Sequence, residues 1–228
     1  MDKYLQIVNK NQAYKKEDFK DFKYISGIEV NYPDEGEVAF IEQATYDAYI
    51  ELKKFLKAKN IPCSLNSAGR SVRAQESTQQ EIFDNCIKNY EKQYSHDEAV
   101  SLANAEVERT VAKPGHSEHH TGLAIDLSPK IVGKNIATKA IAKIYNNKFL
   151  RKNYEYLAKV APQFGFIVRY TKENAESTGV NRAEPWHLRY VGKEHAKAIA
   201  EKTKADPTYS LEKYVLELQN LEDLKVAL

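Results

Sequence analysis

Apolar positions recur along the chain at three- and four-residue intervals in long stretches, separated by short apolar runs that end in turns. The first period belongs to helices with one buried face, the second pattern to strands. Val38, Ile41, Thr45, Ala48, Leu52, Phe55 and Lys59 share such a stripe, which predicts a helix from about Glu37 to Lys59, ended at Asn60. Ile61–Asn66 predicts a strand, and Ser71 to about Tyr94 a second helix with Ser71 as its cap and Ile82, Phe83, Cys86, Ile87 and Tyr90 on one side. Ser95 followed by Glu98 has the spacing of a capping box, so a third helix is expected from Ser95 to Val111, stopped by Pro114-Gly115. Leu123–Leu127, Gly165–Tyr170 and Trp186–Val191 predict further strands. Arg151–Ala161, Glu194–Lys204 and Ser210–Leu224 predict further helices. The alternation implies an α+β fold: a small antiparallel sheet with several helices packed around it.

Composition narrows the partners more than the fold. With 34 Lys and Arg against 32 Asp and Glu, a net charge of +2 gives no electrostatic reason to expect nucleic acid or an anionic membrane. No apolar run approaches the ~18 residues of a membrane span, and the opening Met1-Asp2-Lys3-Tyr4-Leu5-Gln6 lacks the apolar centre of a signal peptide. The expected location is cytoplasmic; the alternative is an extracellular, membrane-anchored protein whose anchor is missing from the chain as given. The polar, Lys-rich residues 1–24 are expected to be an arm or linker, and residues 25–228 one domain. Cys63 and Cys86 allow one disulfide at most and give no metal or redox motif.

Chemistry concentrates in two blocks. Ser117 to Asp126 (SEHHTGLAID) and Glu184 to His187 (EPWH) place imidazoles, a strand-embedded acid and a spare carboxylate in one chain. That donor set, poor in Cys, reads as a catalytic zinc site and not a closed structural one. In an extended segment Ala124 and Asp126 share a face, and an acid on a buried face requires a metal, a hydrogen-bonded partner or a bulge. Gly122, between His119 and Asp126, permits the bend that brings ring and carboxylate together.

The patterns S-x-H-x-x-G-x-A-x-D at Ser117–Asp126 and E-P-W-H-x-R-Y-V-G at Glu184–Gly192 resemble the D-alanyl-D-alanine carboxypeptidases of the VanY type, within the LAS group of zinc peptidases. Ser67-Ala68-Gly69-Arg70-Ser71 with Gln75 is similar to that family's S-G-Y-R-S block, and Gly165–Tyr170 to its G-F-I-x-R-Y strand. The resemblance implies one zinc ion per chain held by His119, Asp126 and His187, with Glu184 as general base. It further implies Arg70 as the cation that stabilises charge near the scissile carbonyl or holds the substrate, and Ser117 and Gln75 as substrate contacts. The implied partner is a peptidoglycan stem peptide or a D-Ala-terminated precursor, the implied reaction removal of the terminal D-alanine, and the expected state a monomer.

Three alternatives accompany this expectation: L,D-carboxypeptidase action on a tetrapeptide stem, dipeptidase action on free D-Ala-D-Ala, and a non-catalytic, zinc-stabilised module that binds cell-wall peptide. The last is disfavoured because Glu184 and Arg70 are both present. Gly69 stands where the family has Tyr, which opens one wall of the site and bears on peptide preference.

Overall fold

The structure, a computed structural model, describes residues 2–31, 37–129, 147–180 and 182–226. Its elements in chain order are β1 (Tyr24–Ser26), β2 (Phe40–Glu42), α1 (Gln43–Ala58), β3 (Cys63–Ser67), α2 (Val72–Tyr90), α3 (His96–Thr110), β4 (Ala124–Pro129), α4 (Lys148–Val160), β5 (Phe166–Tyr170), β6 (Glu184–Tyr190), α5 (Lys193–Ala205) and α6 (Leu211–Val226). Strands β3, β4, β6 and β5 lie in that order in an antiparallel sheet, and β1 pairs with β2 in a second, two-stranded one. The expected mixed architecture is present.

Alternation along the strands sorts the larger sheet's faces. Leu65, Ile125, Leu127, Leu188 and Trp186 belong to the main core, which they share with Leu52 and Leu56 of α1 and Tyr154 and Leu157 of α4. In β4 and β6 the register sets Ala124 opposite Arg189 and Asp126 opposite His187, so the intervening positions carry polar chemistry on the other face. α5 and α6 form a smaller core with Ile167, Val191 and Leu5.

Two expectations are corrected. The first helix does not begin at Glu37: Phe40–Glu42 is extended and pairs with Tyr24–Ser26, and the helix starts at Gln43. Glu42 is its N-cap, accepting from the Thr45 backbone N–H at 2.9 Å. Val38, placed on the apolar stripe, is 65% exposed. At the far end Asn60 takes a left-handed φ of 58°, a conformation that stops a helix. The second correction concerns the opening segment, which is no solvated arm: Leu5, Val8, Phe19 and Phe22 are buried, and the last three pack with Leu123 beside the strand that carries Asp126. Its lysines sit between aromatic residues that supply the contact, as where Tyr4 stacks on Phe22 at 5.6 Å. The capping box at Ser95–Glu98 forms as expected. Among the described residues no helix is long and apolar enough to cross a membrane.

Candidate metal centre

Asp126 and His187 sit opposite each other on neighbouring strands, and His119 reaches them from a single 3-10 turn, Glu118–Thr121, that precedes β4. Ser117 caps this turn through its side chain, and Gly122 ends it with φ 69°, which turns the chain into the strand. A Cβ at Gly122 would also lie 2.8 Å from the Tyr24 ring, so glycine is required twice over. One ligand atom from each of His119, Asp126 and His187 lies within 4.8 Å of the others.

The partners of each ring decide which nitrogen is free. His119 Nδ1 lies 2.7 Å from the Ala68 carbonyl oxygen, which can only accept; Nδ1 therefore carries the hydrogen, and Nε2 presents a lone pair. His187 Nε2 lies 3.2 Å from Glu118 Oε2, again an acceptor, so Nδ1 is the free atom. These two lone pairs face Asp126 Oδ1 at 3.5 and 3.3 Å. Oδ1 is buried and has no hydrogen-bond partner. Three lone pairs directed at one another repel unless a cation lies among them, so the donor set fits a metal of the zinc type.

Electrostatics agree. Burial alone would push the Asp126 carboxyl up, but His119 and His187 beside it hold it well below the usual carboxylate range. Burial would likewise lower His187, yet the carboxylates of Asp126 and Glu118 beside it raise it to about 9.

Glu184 opens β6 opposite Tyr170, whose ring lies 4.9 Å from that of His187. Its Oε1 accepts from Arg182 Nε at 2.9 Å, on the partly exposed side of the site. A cavity of about 300 Å³ opens next to it, lined by Tyr154, Val168, Tyr170, Pro185 and Trp186. Arg70 is tied to the metal turn through its backbone: its N–H donates to the His119 carbonyl at 3.2 Å, and its carbonyl accepts from His120 Nδ1 at 3.0 Å. Its buried Nε has no hydrogen-bond partner. His120 Nε2 accepts from the Gly115 N–H at 3.1 Å, and burial lowers this imidazole to about 4, so His120 is a neutral brace for Arg70. Ser117 stands at the site as the cap of the turn, whereas Gln75 is fully buried; its Nε2 donates to the Ala112 carbonyl at 2.7 Å, and its Oε1 is unpartnered.

Gly69, outside the strands, forms an isolated antiparallel bridge with Phe40 of β2, and a Cβ on Gly69 would lie 2.5 Å from the Phe40 carbonyl oxygen and 2.6 Å from its ring. The space a side chain at position 69 would enter is filled by Phe40. Sequence reasoning missed this substitution of one wall by another, and it missed Glu118, which reads as an ordinary charged loop residue yet is fully buried among Arg169, Arg189 and His187. A charge flanked in sequence by Ser117 and His119, in a chain with two arginines in apolar strands, was the available signal.

Comparison with known proteins agrees with this geometry. The family described as VanY, D-alanyl-D-alanine carboxypeptidase, matches residues 39–193. YodJ of Bacillus subtilis is 31% identical over 211 residues, which is 92% of this chain and 66% of that protein. A D-alanyl-D-alanine carboxypeptidase of Enterococcus faecalis is 38% identical over 122 residues, 53% of this chain and 38% of the relative. The chain thus spans less than two thirds of the length of either. Among solved structures, a mutant of the vancomycin-resistance D,D-pentapeptidase VanY from a VanB-type cassette, in complex with Zn(II), superposes with a TM-score of 0.63 at 27% identity, covering 94% of this chain and 99% of that one. VanYB in complex with D-alanine-D-alanine gives 0.64 at 27%, covering 94% and 98%. The LD-carboxypeptidase LdcB gives 0.63 at 27%, covering 93% and 85%. With two thirds of its length matched and a His, Asp, His cluster at the matched motifs, the chain belongs to the VanY family of D-alanyl-D-alanine carboxypeptidases.

Proposed function

We propose that the protein is a zinc-dependent D,D-carboxypeptidase that removes the terminal D-alanine from peptidoglycan stem peptides or their D-Ala-terminated precursors. The observation that carries this reading is the convergence of His119 Nε2, His187 Nδ1 and the orphaned Asp126 Oδ1, with a further carboxylate, Glu184, three residues before a ligand. When bound, zinc supplies Lewis acidity, bringing a water near a pKa of about 7 and polarising a carbonyl. In this reading Glu184, a partly exposed carboxylate three residues before His187, takes the proton of the attacking water and returns it to the leaving amine. Arg70, with an unsatisfied buried Nε, donates to the substrate's terminal carboxylate or to the developing oxyanion. Ser117 contacts the peptide; Gln75, fully buried, contributes through the Ala112 backbone it holds. The proposal takes one ion per chain, supported by a single such cluster among the described residues, and a monomer.

L,D-carboxypeptidase action is the second reading, favoured by a likeness to LdcB about as strong in TM-score and identity as that to VanYB. Zinc-loaded protein incubated with a muramyl pentapeptide, its tetrapeptide and free D-Ala-D-Ala, with products weighed, separates the readings. Loss of one alanine from the pentapeptide, absent in Glu184→Ala, is expected. Cleavage chiefly of the tetrapeptide or the dipeptide moves the assignment to that specificity. No cleavage by a stoichiometrically zinc-loaded protein leaves a binding module.

A further inference from the structure

We propose that Glu118, gripped by Arg169 and Arg189, is a positioning residue for the metal centre, and that through these two arginines both ends of the chain fix the ring of His187. The inference rests on the proposed zinc site and adds residues outside the ligand and base set.

Glu118 uses both carboxylate oxygens. Oε2 accepts from His187 Nε2 at 3.2 Å, while Oε1 accepts from Arg169 Nε and Arg189 Nη1, each at 2.8 Å. Two planar guanidiniums meeting one oxygen leave the carboxylate little freedom to rotate. The fixed Oε2 then holds the hydrogen of His187 on Nε2 and keeps Nδ1 towards Asp126. Arg189 Nε donates to the Tyr190 carbonyl at 3.1 Å, and the remaining bonds of the two arginines run to the chain's two ends. Arg189 Nη2 donates to the carbonyls of Tyr4 at 3.1 Å and Gln6 at 2.7 Å. Arg169 makes a two-pronged pair with Glu212 of α6 at 3.0 and 2.5 Å, and Glu212 also accepts from Asn9 at 3.0 Å.

Tyr4, Gln6, Asn9 and Glu212 all lie outside the matched span 39–193, so the ends add something that the matched portion does not contain. Burying two carboxylates and two guanidiniums is costly, and an apolar filling of similar volume would stabilise a fold at least as well. A network that also sets a ligand's tautomer has a reason to be retained. The opening segment also touches the residues just ahead of the metal turn: Asn9 O accepts from His116 Nδ1 at 2.8 Å, and the Tyr14 N–H donates to Gly115 O at 2.6 Å.

The test measures zinc affinity by chelator competition in the full chain, for wild type, Glu118→Gln and Glu212→Gln, together with the ring ¹⁵N spectrum of His187 in the zinc-loaded wild type. Expected are a 10–100-fold loss of affinity in Glu118→Gln, a smaller loss in the same direction in Glu212→Gln, and a hydrogen on His187 Nε2. Unchanged affinity (within about twofold) in a folded Glu118→Gln overturns the inference. So does a hydrogen on Nδ1 in the wild type. If Glu118→Gln does not fold, Glu212→Gln and the wild-type spectrum decide, and unchanged affinity in Glu212→Gln counts against the role of the chain ends. A wild type that takes up no zinc overturns the metal-site reading itself, an outcome distinct from intact zinc binding without coupling to Glu118.

Discussion

Which hydrogen each ligand imidazole carries is decided by an oxygen that can only accept: the Ala68 carbonyl for His119 and the Glu118 carboxylate for His187. The ligand types could be anticipated from local motifs, because the candidate residues fall in two short blocks. The oxygens that orient them could not, since they are separated from their rings by 51 and 69 residues. The partners of Glu118 were out of reach for the same reason: its arginines lie 51 and 71 residues away, so the flanking Ser117 and His119 were the only local signal. Phe40 over Gly69 belongs to this scale too. Gly69→Ala forces a Cβ against a backbone oxygen at 2.5 Å, and overpacking of this kind costs roughly 1–3 kcal/mol. Because Gly69 follows Ala68, whose carbonyl fixes His119, the expected result in chemical denaturation and zinc titration is a loss of both stability and zinc affinity.

At the scale of elements, capping chemistry was the most legible feature. Ser95 and Glu98 form the box their spacing implies, and Ser71 caps α2 through Ala74 N–H. Ser71→Ala is expected to cost ~1 kcal/mol of unfolding free energy, read by denaturant melts. Periodicity failed at residues 37–42, where Phe40–Glu42 is a short strand: Ile41 is buried opposite Ile25, whereas Val38, three residues earlier and ahead of the strand, is exposed. The sheet that positions the ligands depends on its buried face. Leu188 is fully buried, pairs with Ile125 and Val168, and sits one residue from the proposed ligand His187. Leu188→Ala is expected to destabilise by roughly 2–5 kcal/mol, again by denaturant melts.

For the whole molecule, the two ends carried the largest surprise. Composition marked the first 24 residues as polar, but a few aromatic and aliphatic positions among them suffice to bury the segment against Leu123. The C-terminal helix, legible as a stripe, gave no sign that its Glu212 reaches Arg169. That contact makes stability pH-dependent. Burial raises the Glu212 carboxyl, but Arg169 and Asn9 outweigh it, so its folded pKa lies below the ordinary value. A depressed carboxylate contributes stability that is fully present above the unfolded pKa of about 4.3 and is lost as pH falls through the folded value. Unfolding free energy measured from pH 7 down to pH 3 should therefore fall less steeply below about pH 5 in Glu212→Gln than in wild type. Parallel curves would show that the pair contributes nothing to the acid limb.

The proposed assignment has His119, Asp126 and His187 holding the metal and Glu184 moving the proton. Its most direct test is zinc content and pentapeptide turnover measured on the same preparations of wild type, Glu184→Gln and His187→Ala. Glu184→Gln should retain stoichiometric zinc and lose turnover by about 10²–10⁴-fold, whereas His187→Ala should lose both. Turnover in Glu184→Gln within about tenfold of wild type, or stoichiometric zinc in His187→Ala, would contradict the assignment.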